Sequence, residues 1–119
     1  MPQVAPKDTT PKKVEPVATD PISKAVATGR PVLVDFGRGT CIPCKKMAPI
    51  LAELKQEYAG RVEVLVLDLD EYYELARKVG IQMIPTQIFY DARGLEVGRH
   101  IGFMEKDSII AQLTRMGVK

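Results

Sequence analysis

Cys41 and Cys44 are the only cysteines in this 119-residue chain, and two residues separate them. They lie within Gly37-Arg38-Gly39-Thr40-Cys41-Ile42-Pro43-Cys44-Lys45-Lys46. A thiol pair at this spacing could exchange disulfides, ligate a metal or serve as an inert crosslink. Structural zinc needs four ligands, and the chain offers no third cysteine and a single histidine, His100. An iron–sulfur cluster fails on the same cysteine count. A crosslink closing so small a loop would stabilise little. Redox exchange is the favoured reading, and no metal or other cofactor is expected for it. The alternative is a non-enzymatic module that binds or delivers copper through two soft thiolates. Met47 is the nearest further soft ligand, but it falls on the apolar face of the next helix.

The elements on either side support the redox reading. Pro31-Val32-Leu33-Val34-Asp35-Phe36 has the near-continuous apolar character of a strand buried on both faces. From Pro43 to about Tyr58, Met47, Ile50, Leu51, Leu54 and Tyr58 recur at helical spacing. A strand that feeds a C-x-x-C at a helix start is the redox arrangement of the motif. The first N–H groups of a helix lack intrahelical partners, and the helix dipole adds positive charge there. Cys41 just ahead of them is expected to be the attacking thiolate. Arg38, Lys45 and Lys46 supply further positive charge, which lowers a thiol pKa. Cys44, inside the first turn, is expected to be more buried and to resolve the mixed disulfide. Pro43 suits the first turn, where no N–H is needed. Pro49 removes one hydrogen bond and should kink the helix.

Asp35 interrupts the apolar strand. A carboxylate in a central strand is costly unless it is paired or protonated. One reading is a strand-end residue facing water. The functional reading is a buried acid near Cys44, with a raised pKa, that moves protons during exchange.

Length fits one folded domain, and 45% of the residues of the chain are hydrophobic. A net charge of +2, with basic residues scattered along the chain, argues against nucleic-acid binding. Residues 1–20 contain four prolines and no aromatic residue, which predicts a disordered or extended tether ahead of a domain over 21–119. The tether has no apolar core of a signal peptide. It would suit a linker behind an anchor or signal, so an extracytoplasmic setting is favoured, with a cytoplasmic tail as the alternative.

Asp20-Pro21 should open a short helix to about Thr28, closed by Gly29. Val62 to Leu69 reads as a second strand, with Asp68 and Asp70 as solvated turn residues rather than a metal pair. Glu71 to Val79 reads as a helix with Gly80 behind it. Gln87–Tyr90 and Leu95–Ile101 read as strands joined through Asp91-Ala92-Arg93-Gly94, the second alternating Leu95, Val97, Arg99 and Ile101. Ile109, Ile110, Leu113 and Met116 mark a last helix.

From Ile22 to Met116 this order resembles the thioredoxin superfamily. Val34-Asp35-Phe36 looks like its buried acidic strand, Cys41 and Cys44 match its attacking and resolving cysteines, and Pro49 matches its helix-kinking proline. Ile84-Pro85-Thr86 looks like its cis-proline loop, and Gly102 falls at a glycine beside its substrate groove. The resemblance implies an α/β thioredoxin fold, with a central mixed four- or five-stranded sheet flanked by helices, and a thiol–disulfide oxidoreductase acting on protein disulfides, most readily as a reductase. It implies a substrate strand pairing with the backbone at Ile84, against Thr40, Ile42, Pro43, Pro85 and Gly102. It also implies a monomer served by an upstream reductase, either a membrane reductase or thioredoxin reductase. Ile42-Pro43 replaces the Gly-Pro of thioredoxins proper, Thr40 stands in place of a tryptophan, and Val66 in place of a lysine near the aspartate. These departures point to a specialised protein fed from a membrane reductase.

Overall fold

A computed structural model describes residues 20–119, so the expected tether lies, but for Asp20, outside the described residues. In chain order the elements are α1 (Pro21–Val26), β1 (Val32–Gly37), α2 (Ile42–Glu57), β2 (Glu63–Asp68), α3 (Tyr73–Lys78), β3 (Thr86–Tyr90), β4 (Glu96–Ile101) and α4 (Lys106–Arg115). Among the described residues the strands form one mixed sheet of four, ordered β2-β1-β3-β4. The pair β1–β2 is parallel; β1–β3 and β3–β4 are antiparallel.

Alternation along the strands divides the core into two layers. Val32, Val34 and Phe36 of β1 pack with Leu67, Ile88 and Tyr90, beneath Ile22 and Ala25 of α1 and Ala76 of α3. Leu33 packs with Val64 and Phe89, beneath Met47, Leu51 and Leu54 of α2 and Ile109 and Leu113 of α4. Helices on both faces of a mixed sheet make this an α/β fold.

Local chemistry sets the boundaries. Asp20 caps α1, its Oδ1 accepting the Ser23 N–H at 2.9 Å and its Oδ2 the Ser23 hydroxyl at 3.0 Å. The helix α2 runs on through Pro49. The hairpin turns on Asp91, whose Oδ1 accepts from the N–H groups of Arg93 and Leu95 at 2.9 and 3.1 Å. Gly94 in that turn has φ +88°, and a Cβ there would lie 2.7 Å from Val26 Cγ1 of α1. Both the backbone and the packing therefore demand glycine.

Two expectations need correction. Helix α3 begins at Tyr73 rather than Glu71, because the N–H groups of Glu71 and Tyr72 turn back onto the Asp68 carbonyl at 3.1 and 2.9 Å. In β4 the inward face is the opposite of the one the apolar residues suggest. Val97 and Ile101 are 46% and 55% exposed, while Glu96, Gly98 and His100 are half-buried. Gly98 explains the phase: a Cβ there would stand 2.9 Å from Gln112 Nε2, so its bare backbone admits α4. Arg99, on the other face, donates to the Val79 and Gly80 carbonyls at 2.8 and 3.3 Å and closes the end of α3.

Candidate active site

The strand β1 delivers the chain into the loop that ends at Cys41, and α2 starts one residue later. Cys41 is the N-cap of α2, with extended backbone (φ −85°, ψ 121°). Its Sγ accepts the Cys44 N–H at 3.3 Å, and its carbonyl accepts the Lys45 N–H at 3.0 Å. The two cysteines form a disulfide with Cα atoms 5.2 Å apart, so the site is in its oxidised form. On reduction, the unpartnered N–H groups and the dipole of a 16-residue helix would favour a thiolate at Cys41.

One part of the expected electrostatics changes. Arg38 does not stand free beside Cys41: its guanidinium pairs with Asp70, at 3.1 Å from Nε and 3.0 Å from Nη2. Asp70 is in a turn, its N–H donating to Asp68 Oδ1 at 2.8 Å. The remaining side-chain cations near the motif are Lys45 and Lys46, both exposed. Cys41 and Cys44 are both half-buried.

Asp35 is 2% exposed, which removes the water-facing reading. Burial pushes its carboxyl up from 3.8 to about 6, against a lowering influence from a hydrogen bond donated by Gln87 Nε2 to Oδ2 at 2.9 Å. Gly37 lies between this acid and the disulfide. A methyl group grown on it would stand 3.0 Å from Cys44 Sγ and 3.6 Å from Asp35 Oδ1. The acid thus faces the second sulfur across a gap bordered by bare backbone.

Sequence reasoning overlooked Gln87. It is wholly buried, and its Oε1 lies 2.9 Å from His100 Nδ1. Its signal was available: a glutamine opening the apolar run Gln87-Ile88-Phe89-Tyr90 poses the same burial problem as Asp35.

The strand register brings the rest of the site together. Phe36 pairs with Thr86, and Thr86 with Ile101, so Pro85 and Gly102 lie at the end of the sheet where β1 leaves for the cysteines. The Ile84–Pro85 bond is cis. The Pro85 carbonyl accepts the Gly102 N–H at 2.7 Å. Among the described residues, the Ile84 backbone has no hydrogen-bond partner. Thr40, Ile42 and Pro43 are exposed and Ile84 is half-buried, whereas Pro85 is buried. Ile42 is 66% exposed, with Met83 at 62% and Phe103 at 40% beside the loop and the glycine.

Among the described residues, no cluster of three or more His, Cys, Asp and Glu side chains could hold a metal. Met47, the soft ligand nearest the motif, is wholly buried, and its sulfur accepts the Met104 N–H at 3.3 Å. It is therefore committed to the core and unable to complete a copper site.

What two sulfurs at a helix N-terminus do, with a buried acid behind them, is pass electron pairs between dithiols and disulfides. The molecule is a thiol–disulfide oxidoreductase, and an enzyme. A sequence model described as Thioredoxin matches residues 13–115, and the chain belongs to the thioredoxin family. It is 40% identical over 90 residues to a thioredoxin of Alicyclobacillus acidocaldarius subsp. acidocaldarius, covering 76% of this chain and 85% of that one. It is 38% identical over 81 residues to Thioredoxin C-2 of Corynebacterium nephridii, covering 68% of this chain and 74% of that one. A chloroplastic M-type thioredoxin of Pisum sativum is 45% identical over 65 residues, 55% of this chain and 38% of that one. These relatives give the copper reading no support. Membership implies protein disulfides as substrates and a reductase as electron donor.

Proposed function

We propose that the protein is a monomeric disulfide reductase in which Cys41 attacks, Cys44 resolves and Asp35 takes the Cys44 proton. The observation that carries this is the Cys44 N–H aimed at Cys41 Sγ, which favours a thiolate on the first cysteine. The Cys41 thiolate attacks a substrate disulfide; one S–S bond forms, the substrate's breaks, and one substrate thiolate leaves. Asp35 removes the proton from Cys44. The Cys44 thiolate then attacks Cys41 Sγ, the mixed disulfide breaks, and the second substrate thiolate leaves. One electron pair has moved from the protein dithiol to the substrate disulfide. The free backbone of Ile84 supports pairing with an extended substrate segment, flanked by Thr40, Ile42, Pro43, Pro85 and Gly102. Limiting alkylating reagent at neutral pH should label reduced protein mainly at Cys41, located by peptide mass spectrometry. Predominant label on Cys44 reverses the assignment.

The donor we propose is a membrane reductase on the extracytoplasmic side. The proline- and lysine-containing stretch 1–20 and the replacement of Gly-Pro by Ile42-Pro43 support it. A soluble thioredoxin reductase should therefore reduce the protein slowly, and fast turnover with that donor removes the case for a membrane partner.

A further inference from the structure

Four residues, one from each strand, stand in a single cross-strand row: Val66 of β2, Asp35 of β1, Gln87 of β3 and His100 of β4. The row lies on the α2/α4 face, beyond the apolar layer of Val64, Leu33 and Phe89. Its β2 end is apolar. Its other three members are joined side chain to side chain, Asp35 to Gln87 and Gln87 to His100, each at 2.9 Å.

The direction of these bonds follows from the inventory of donors. A carboxylate can only accept, so Gln87 must offer its amide N–H to Asp35. Its carbonyl oxygen then points the other way, and His100 must meet it with a protonated Nδ1. A wholly buried glutamine takes its hydrogen-bond partners from the side chains around it. Were its amide reversed, an oxygen would face Asp35, and only the protonated acid could make that contact. With its proton on Nδ1, His100 holds the amide so that the N–H end meets the acid. Burial and the Gln87 bond are the influences that act on Asp35, and no charged side chain joins them among the described residues.

The geometry points to Gln87 as a positioning residue for the resolving step, held in orientation by His100, setting how readily Asp35 takes the proton of Cys44. The pair does so from the β3–β4 side, because the β2 side offers Asp35 only Val66. This inference rests on the proposed role of Asp35 as proton acceptor. In the step itself the Cys44 S–H proton passes to the Asp35 carboxylate, the new thiolate attacks Cys41 Sγ, and the substrate leaves as a thiolate. Gln87 and His100 exchange no proton and no electron; they hold the acceptor in its charged, hydrogen-bonded form.

The test uses Gln87→Leu, His100→Phe and His100→Asn, with two readouts on each. The first is the titration of the Asp35 carboxyl in the oxidised protein by carbon-13 NMR. The second is the pH profile of mixed-disulfide resolution in a single turnover. Gln87→Leu removes the donor to the charged acid and should move both midpoints upward by about one pH unit or more. His100→Phe leaves the amide unheld and should move them in the same direction by less. His100→Asn places an N–H close to the position of Nδ1 and should restore them towards the parent. A merely structural row would change the unfolding midpoint and leave both pH midpoints in place. Parent-like titrations in Gln87→Leu and His100→Phe, at whatever stability, overturn the inference. Because His100 is half-buried at a sheet edge, its variants decide the matter even if Gln87→Leu fails to fold. Asp35→Asn separates the role of the acid from the role of the row. If it slows resolution while the row variants leave the midpoints unmoved, only this inference falls. If it leaves resolution unchanged, the acceptor role falls and takes the inference with it.

Discussion

On the side of the sheet that α1 and α3 cover, β1 presents Val32, Val34 and Phe36, all buried and all apolar. On the side that α2 and α4 cover, the same strand presents Leu33 and then Asp35, and its neighbour β3 presents Phe89 and then Gln87. The first layer is apolar along the whole strand. The second is apolar at one end and turns polar where it approaches the cysteines. Burial of apolar surface stabilises wherever it occurs, but burial of a carboxyl costs, and the cost is tolerated here at one place. One face of the strand mainly holds the fold together, while the other gives up part of that stabilisation to keep an ionisable group behind a disulfide.

The comparison breaks if the two faces respond alike to mutation. Phe36→Ala, on the wholly apolar face, should cost about 4 kcal/mol of stability through lost transfer energy and the cavity left behind. It should leave the Asp35 titration midpoint where it is. Denaturant unfolding and the NMR titration check the two halves, and a displaced midpoint would mean that the layers are not separable.

Asp35→Asn should do the opposite, raising stability in a pH-dependent way. The folded carboxyl titrates at about 6 against an ordinary 3.8, so between roughly pH 4 and 6 the folded state holds more protons than the unfolded one. Stability of the parent therefore falls as pH rises through that window and stays lower above it. The total is on the order of 3 kcal/mol. The variant keeps an oxygen to accept from Gln87 but has no charge to bury. Its advantage over the parent should be near zero at pH 3 and fully present at pH 7. Urea unfolding of the two oxidised proteins at both pH values decides, and equal advantages at the two would sever the link to ionisation.

The smallest effect sharpens the contrast at the rim of the apolar face. Asp20→Ala removes the cap of α1 and should cost about 1 kcal/mol. Thermal unfolding should register that loss, while disulfide exchange should proceed at the parental rate. A slowed exchange would tie α1 to the site more closely than the layers suggest.

Much of this was legible in the chain. The C-x-x-C between an apolar strand and a helical pattern placed the dithiol, and Asp35 announced itself as the one charge in a run of aliphatics. Gln87 carried the same signal but lacked a partner close in sequence. Its link to Asp35 depends on the register of β1 against β3, which alternation within either strand does not reveal. His100 was hidden by a phase error. Val97 and Ile101 look like the inward residues of β4, yet Gly98 brings the backbone up to α4 and turns His100 inward instead. The setting of Arg38 is hidden from the sequence for a similar reason. Its distance to Cys41 was visible in sequence, but its ion pair with Asp70 crosses from one loop to another.

The seat that Gly94 makes for Val26 has a consequence for the order of assembly. A helix of six residues does not persist alone in water, so α1 keeps its shape only while docked. Part of its dock is a turn from much later in the chain, which forms as β3 and β4 close on each other. Of all the helices described, the first to emerge in synthesis must therefore wait for one of the last turns. That contact between distant parts of the chain carries a loop-closure entropy that local helix formation cannot offset.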